Sequence, residues 1–101
     1  MKIAIASEGN SLNSKMDSRF GRCAYFAIYD TETKSTDFLS NPGKDASGGA
    51  GSAAARFIAE NGVEKIVASE IGNKAMPALE KLNIEIHYAE GKIISEIIAN
   101  L

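Results

Sequence analysis

Cysteine and histidine are nearly absent from this chain, which has one of each among its 101 residues. A single cysteine excludes an internal disulfide and is typical of a protein from a reducing compartment. A closed zinc site takes about four Cys or His ligands, so this chain cannot form one alone. A metal centre bound here would need ligands of its own, a second subunit, or mainly polar and ionic contacts.

A strong excess of charge and long apolar runs are also lacking. The formal net charge is −2, which does not mark the surface for nucleic acid or membrane. No stretch approaches the ~20 apolar residues of a membrane span, and the apolar run at residues 3–6 is too short for a signal peptide. The length and the 45% of hydrophobic residues predict a single domain over residues 1–101 with its own core. Because neither a signal peptide nor a membrane span is indicated, we expect the protein in the cytoplasm.

Strand and helix patterns alternate regularly along the chain. They predict strands at residues 3–6, 25–29, 35–39, 63–69 and 84–88, and helices that begin near residues 50, 73 and 91. Short connections make the first three strands antiparallel, whereas helical crossovers make the last two parallel. An α/β fold with a five-stranded mixed sheet of order 3-2-1-4-5 and three helices satisfies these constraints.

Caps and apolar stripes define the predicted helices further. Gly62 should end the first helix, Asn73 should cap the second, and Leu82 should point inward from it. The last helix carries an apolar stripe over residues 93–101. We expect this stripe to pack on the chain's own sheet, and burial against another subunit is the alternative.

One edge of this sheet should gather the cationic and glycine-rich loops. The segment 17–26 holds two of the three arginines and the only cysteine, directly before the second strand. The glycine-rich segment 44–52 and up to three helix N-termini should reach the same edge. Because helix N-termini present unpaired N–H groups, and ligands of open α/β sheets often lie there, we predict an anion-binding edge.

The candidate binding residues fall in two segments of this edge. They are Arg19, Arg22, Cys23, Ser47, Gly48, Gly49 and Gly51. The arginines can bind an anion through several donors, or they can pair with Glu8 or Asp17. The glycine-rich run can bind an anion through its amides, or it can let a helix of small residues pack closely. Cys23 can ligate a metal as a thiolate, or it can be a buried packing residue.

No catalytic constellation stands out from the sequence. His87 is expected on the surface of an edge strand, without a nucleophilic partner. The acids Asp30, Asp37 and Asp45 lack the paired spacing of a glycosidase or a two-metal nuclease. The sequence has no nucleophile-elbow motif. We therefore expect a binding protein rather than an enzyme.

Six blocks spread over nearly the whole chain are typical of one protein family. They are Met1–Ser7, Arg19–Asp30, Asn41–Pro42, Gly48–Gly51, Gly62–Val63 and Ile71–Ala75. These blocks resemble the dinitrogenase iron–molybdenum cofactor biosynthesis family, most specifically in the Phe-Gly-Arg block before an aromatic strand. The chain resembles a small stand-alone member of it. The resemblance implies a ribonuclease H-like α/β fold of three layers.

The resemblance also implies a role in metallocofactor assembly. The expected cargo is an iron–molybdenum cofactor or an iron–sulfur cluster, and the expected partners are that metallocluster and cofactor-assembly proteins. Nucleic acid and membrane are not expected as partners. We expect the chain to be a monomer or a weak homodimer. Many members carry a histidine where this chain has Arg19 and Ser47. Binding would then fall to Arg19, Arg22, the Gly48–Gly51 amides and Cys23, the one candidate metal ligand.

Two other functions remain open at this point. The alternative to a cluster carrier is a domain that binds a small anion or nucleotide at the glycine-rich helix start. A nuclease is suggested only by fold analogy, which does not by itself carry function.

Overall fold

The computed structural model describes residues 1–101, which form five strands and three helices. In chain order they are β1 Lys2–Ser7, β2 Tyr25–Asp30, β3 Thr36–Ser40, α1 Ala50–Glu60, β4 Val63–Ala68, α2 Ala75–Lys81, β5 Glu85–Tyr88 and α3 Ile94–Ala99. The sheet order is β3-β2-β1-β4-β5. β1 pairs antiparallel with β2, and β2 with β3, whereas β1–β4 and β4–β5 are parallel. The predicted α/β class, sheet order and strand directions are confirmed.

The sheet lies between two helical layers because its central strand is apolar on both faces. Ala4 and Ala6 of β1 pack in a core of 14 buried residues that includes residues of α1 and α2. Ile3 and Ile5 point the other way, into a core of 7 buried residues on the side of α3. Alternation along β1 therefore places one core on each face of the sheet.

The last helix packs most of its apolar stripe against its own sheet, as expected, whereas Leu101 at the end of the stripe is 43% exposed. Ile94 and Ile97 of α3 are buried in the core that contains Ile3 and Ile5. Ile93 and Ile98 are half-buried. None of the three helices is long and apolar enough to cross a membrane.

Of the three predictions about residues near helix ends, the one for Gly62 is confirmed and those for Asn73 and Leu82 are not. Gly62 follows α1 with a φ of 78°, the left-handed conformation that glycine adopts without strain. Asn73 does not cap α2, because Lys74 is the N-cap and the amides of Ala75 and Met76 donate to the Gly72 carbonyl. Leu82 is 42% exposed, since it lies just beyond the last turn of α2. Both predictions about α2 were wrong.

Candidate functional site

A cleft of about 450 Å³ opens at the predicted edge of the sheet. Three segments line it: residues 20–22 before β2, residues 47–51 at the start of α1, and residues 72–75 at the start of α2. The structure thus brings together five of the predicted binding residues. They are Arg22, Ser47, Gly48, Gly49 and Gly51. Arg19 and Cys23 do not line the cleft.

The loop before β2 lies directly against the start of α1. The Phe20 side chain is buried and lies 5.5 Å, centroid to centroid, from Phe26, which lies 6.4 Å from Phe57 of α1. A Cβ on Gly21 would fall 2.8 Å from the backbone nitrogen of Gly51. Only glycine allows this approach, so the Phe-Gly step brings the loop to the helix N-terminus.

Asn41 holds this loop from behind and was missed as a site residue by the sequence analysis. It is 2% exposed. Its Nδ2 donates to the carbonyl oxygens of Gly21 and Cys23, each at 3.0 Å, and its Oδ1 accepts from the amide of Gly43 at 3.0 Å. Its only sequence signal was the Asn-Pro step after β3, which does not indicate a partner in the loop 18 residues earlier.

The amides at the start of α1 supply donors to the cleft. The N–H groups of residues 48–52 have no acceptor within the protein, and no side chain caps the helix. The other two helices differ: the first amides of α2 donate to Gly72, and those of Ile94 and Ser95 in α3 donate to carbonyls of the loop after β1. Among the three helices, α1 alone therefore has a first turn of amides that is open to an anion.

The charge of the cleft is positive. Arg22 and Lys74 line it, neither forms an ion pair, and no carboxylate is among the lining residues. Arg22 donates through Nη1 to the carbonyl oxygens of Lys44 and Ala46, which holds its guanidinium beside the glycine-rich segment. Lys74 comes from the loop after β4 and was not predicted. The only feature of the sequence that could have indicated Lys74 is its position in a loop after a strand that ends at this edge of the sheet.

Arg19 has a different environment from Arg22. It forms a bidentate ion pair with the buried Asp17, with Nε–Oδ1 and Nη2–Oδ2 distances of 3.1 Å. The hydrogen bond and charge of Asp17 raise the pKa of Arg19 above its ordinary value. Its side chain is 67% exposed, so it can still reach solvent, but Asp17 already accepts hydrogen bonds from the Nε and Nη2 edge of its guanidinium.

Cys23 lies behind the cleft and is completely buried. Its thiol donates to the carbonyl oxygen of Phe20 at 3.3 Å. Burial, followed by the charge of Asp17, raises the pKa of the Cys23 thiol to about 12. The thiol is therefore protonated at neutral pH, and direct ligation of a metal requires the loop at residues 20–23 to move.

Replacing Cys23 by alanine should flatten the alkaline dependence of stability. The pKa of the thiol is about 12 in the folded protein and near 9 in the unfolded chain, so the unfolded chain loses this proton first. The stabilisation is complete below pH 9 and is lost by up to ~1.4 kcal/mol per pH unit towards pH 12. Urea denaturation of parent and variant should give free energies that converge over this range. Parallel curves would show that the thiol titrates normally.

The remaining candidate residues lie away from the cleft. His87 is exposed on β5, and its neighbours Glu90 and Lys92 lie on the α3 side. Asp30 accepts the amide of Glu32 at 2.9 Å, and this bond lowers the pKa of its carboxyl as it stabilises the turn after β2. No group of three or more His, Cys, Asp or Glu side chains could hold a metal ion.

Comparison with known proteins places this chain and its fold in a family. The chain is 32% identical to an uncharacterised protein of Methanocaldococcus jannaschii over 97% of its own length and 82% of that protein. It resembles the apo form of the orange protein from Desulfovibrio gigas, with a TM-score of 0.92, 31% identity, and coverage of 98% of this chain and 84% of that one. A Thermotoga protein of the DUF35 family gives a TM-score of 0.85, 34% identity, and coverage of 97% and 84%. A family model described as dinitrogenase iron-molybdenum cofactor matches residues 1–101, and the chain belongs to this family.

Proposed function

We propose that this chain is a non-enzymatic carrier for an anionic metal–sulfur cluster, of iron–molybdenum or iron–sulfur type, in cytoplasmic metallocofactor assembly. One observation carries the proposal: the cleft combines free α1 amides with the unpaired cations Arg22 and Lys74, and no carboxylate lines it. Family membership supports the class of cargo, because it associates the chain with cofactor-related binding.

The geometry suits cargo that is held and then released. A metal–sulfur cluster is bulky, anionic and rich in sulfide acceptors, and hydrogen bonds to its sulfurs are a recognised way for a protein to bind and tune it. The cleft offers about 450 Å³ of open space, lined mainly by backbone and cations. Contacts of this kind hold an anion without enclosing it, so the cluster can leave intact for the next protein.

Cys23 is a separate part of this proposal. Its thiol lies directly behind the residues 20–22 that line the cleft, so a movement of this loop would bring it to the cargo. Ligation by Cys23 therefore stays a prediction, distinct from ionic and amide binding by the cleft. The two contributions can be separated by mutation.

Anaerobic titration of the purified protein with a preformed iron–sulfur cluster tests the proposal. We expect saturable uptake, followed by visible absorption and native mass, with one cluster per chain. Arg22→Ala should weaken uptake by about tenfold to a hundredfold, because hydrogen bonds to charged groups contribute roughly 1.5–3 kcal/mol. Arg19→Ala should have a smaller effect, since Asp17 already binds that guanidinium.

Two further variants complete this experiment. Cys23→Ser should weaken uptake and change the sulfur-to-metal absorption only if the thiol is a ligand. Lys15→Ala removes an exposed charge outside the cleft and should bind as the parent does. Uptake that is equal in the parent and Arg22→Ala would exclude the cleft as the cluster site.

A small-anion or nucleotide-binding domain is the second candidate. The burial and raised pKa of Cys23 favour it, because a phosphate group needs amides and cations but no thiolate. Thermal denaturation with inorganic phosphate and nucleotides distinguishes the two. A ligand at 100 times its dissociation constant stabilises the native state by about 2.7 kcal/mol. Stabilisation by phosphate compounds, without cluster uptake, would favour this second function.

A further inference from the structure

A second concave surface lies between α1 and α2, next to the cleft. It is an open groove of about 370 Å³ whose lining includes Arg56, Lys74 and Lys81. No acidic residue lines it, and none of the three cations forms an ion pair within the protein. The groove is therefore positively charged, whereas the whole chain has a net charge of −2.

The lining of this groove is partly apolar. Pro77 and Leu82 line it, and Leu82 is 42% exposed although the α2 pattern predicts an inward side chain. A large apolar side chain that stays in solvent among cations gives the groove two kinds of contact. Anchoring apolar contacts surrounded by charged ones are typical of surfaces that bind a short protein segment.

We propose that the α1–α2 groove docks an acidic segment of a partner protein, with an apolar side chain of that segment placed on Leu82. The acidic residues of the segment would complement the three cations of the groove, and its apolar residue would pack on the exposed Leu82. A protein segment fits better than nucleic acid, because a nucleic-acid surface needs a long basic stripe and this chain is acidic overall. Lys74 lines both the groove and the cleft, so a docked partner lies beside the cargo site.

This inference goes beyond cluster binding, and its test needs no cluster. The probe is a synthetic peptide in which a leucine lies between two pairs of glutamates. NMR titration of the ¹⁵N-labelled apo protein should give saturable shifts in amides of α1 and α2, and not in α3. A peptide with glutamine in place of the leucine should bind more weakly.

Charge reversal provides the decisive comparison. The double variant Arg56→Glu/Lys81→Glu should bind the peptide about tenfold more weakly at low salt, because two attractions become repulsions. The matched control is Lys15→Glu/Lys92→Glu, which changes the net charge equally at exposed positions near α3 and should bind as the parent does. Folding of both variants is checked by their NMR spectra.

Three results would overturn the docking proposal. They are no saturable binding of the peptide, equal weakening by both double variants, and tighter binding of an oligothymidylate than of the peptide at the same site. The last would assign the groove to nucleic acid. None of these results bears on the cluster titration, because the groove variants retain Arg22 and the residues 47–51.

Discussion

Replacing Asn41 by alanine should lower the free energy of unfolding by about 3 kcal/mol, because it leaves the carbonyl oxygens of Gly21 and Cys23 and the amide of Gly43 without their partner. The site is buried, so water cannot readily replace the side chain. In a domain of this size the loss corresponds to a fall in Tm on the order of 10–20 °C. It is a large part of the roughly 5–15 kcal/mol that stabilises a typical domain.

Asn41→Asp distinguishes the hydrogen bonds that Asn41 donates from the one that it accepts. The aspartate keeps an acceptor for Gly43 but loses the Nδ2 donor, and it places a charge beside two carbonyl oxygens. We therefore expect it to be at least as unstable as Asn41→Ala at neutral pH, and to recover partly as acid protonates the carboxyl. Asn13→Ala is the control, because Asn13 is exposed and makes no side-chain hydrogen bond. A Tm for Asn41→Ala within about 2 °C of the parent would exclude this role.

The fold followed from the sequence because its determinants are local. The apolar run at residues 3–6 identifies a strand covered on both faces, and the connection lengths fix which neighbours are parallel. The predictions that were wrong concern a short helix whose ends depend on tertiary contacts. Asn73 has a good capping side chain, but Gly72 already accepts the first amides of α2. Leu82 continues the apolar pattern one residue past the point where the helix stops.

The sequence predicted only some of the residues that line the cleft, because residues that are close along the chain need not lie in the same site. Arg19 and Arg22 are three residues apart, yet one pairs with Asp17 and the other lines the cleft. Lys74, more than fifty residues away, lies with Arg22. Composition could indicate an anion-binding edge, but it could not show which cations remain unpaired. That depends on where buried acids such as Asp17 lie in the folded chain.

Two close backbone approaches shape the cleft, and each should fail when a methyl group is added. A Cβ on Gly21 would lie 2.8 Å from the nitrogen and 3.0 Å from the Cα of Gly51, and one on Gly51 would lie 2.7 Å from the Cβ of Ala75. These contacts are with backbone or with a Cβ fixed to it, so a rotamer change cannot relieve them. We expect Gly21→Ala and Gly51→Ala each to lower the free energy of unfolding by about 2–3 kcal/mol, measured by urea denaturation.

Matched substitutions distinguish a steric effect from a general effect of replacing glycine. Gly48→Ala adds the same methyl group in the same cleft, but no atom lies within 4 Å of the new Cβ, so its stability should match the parent. Ala75→Gly removes the atom that Gly51→Ala would meet. The double variant Gly51→Ala/Ala75→Gly should therefore be more stable than the sum of the two single changes predicts, with a coupling of about 1 kcal/mol or more. Strict additivity at the full cost of Gly51→Ala would mean that Ala75 is not the atom responsible for the loss. A cost near zero for Gly51→Ala alone would instead mean that the start of α1 moves away from α2 easily, and the cleft would then be an adaptable surface rather than a preformed one.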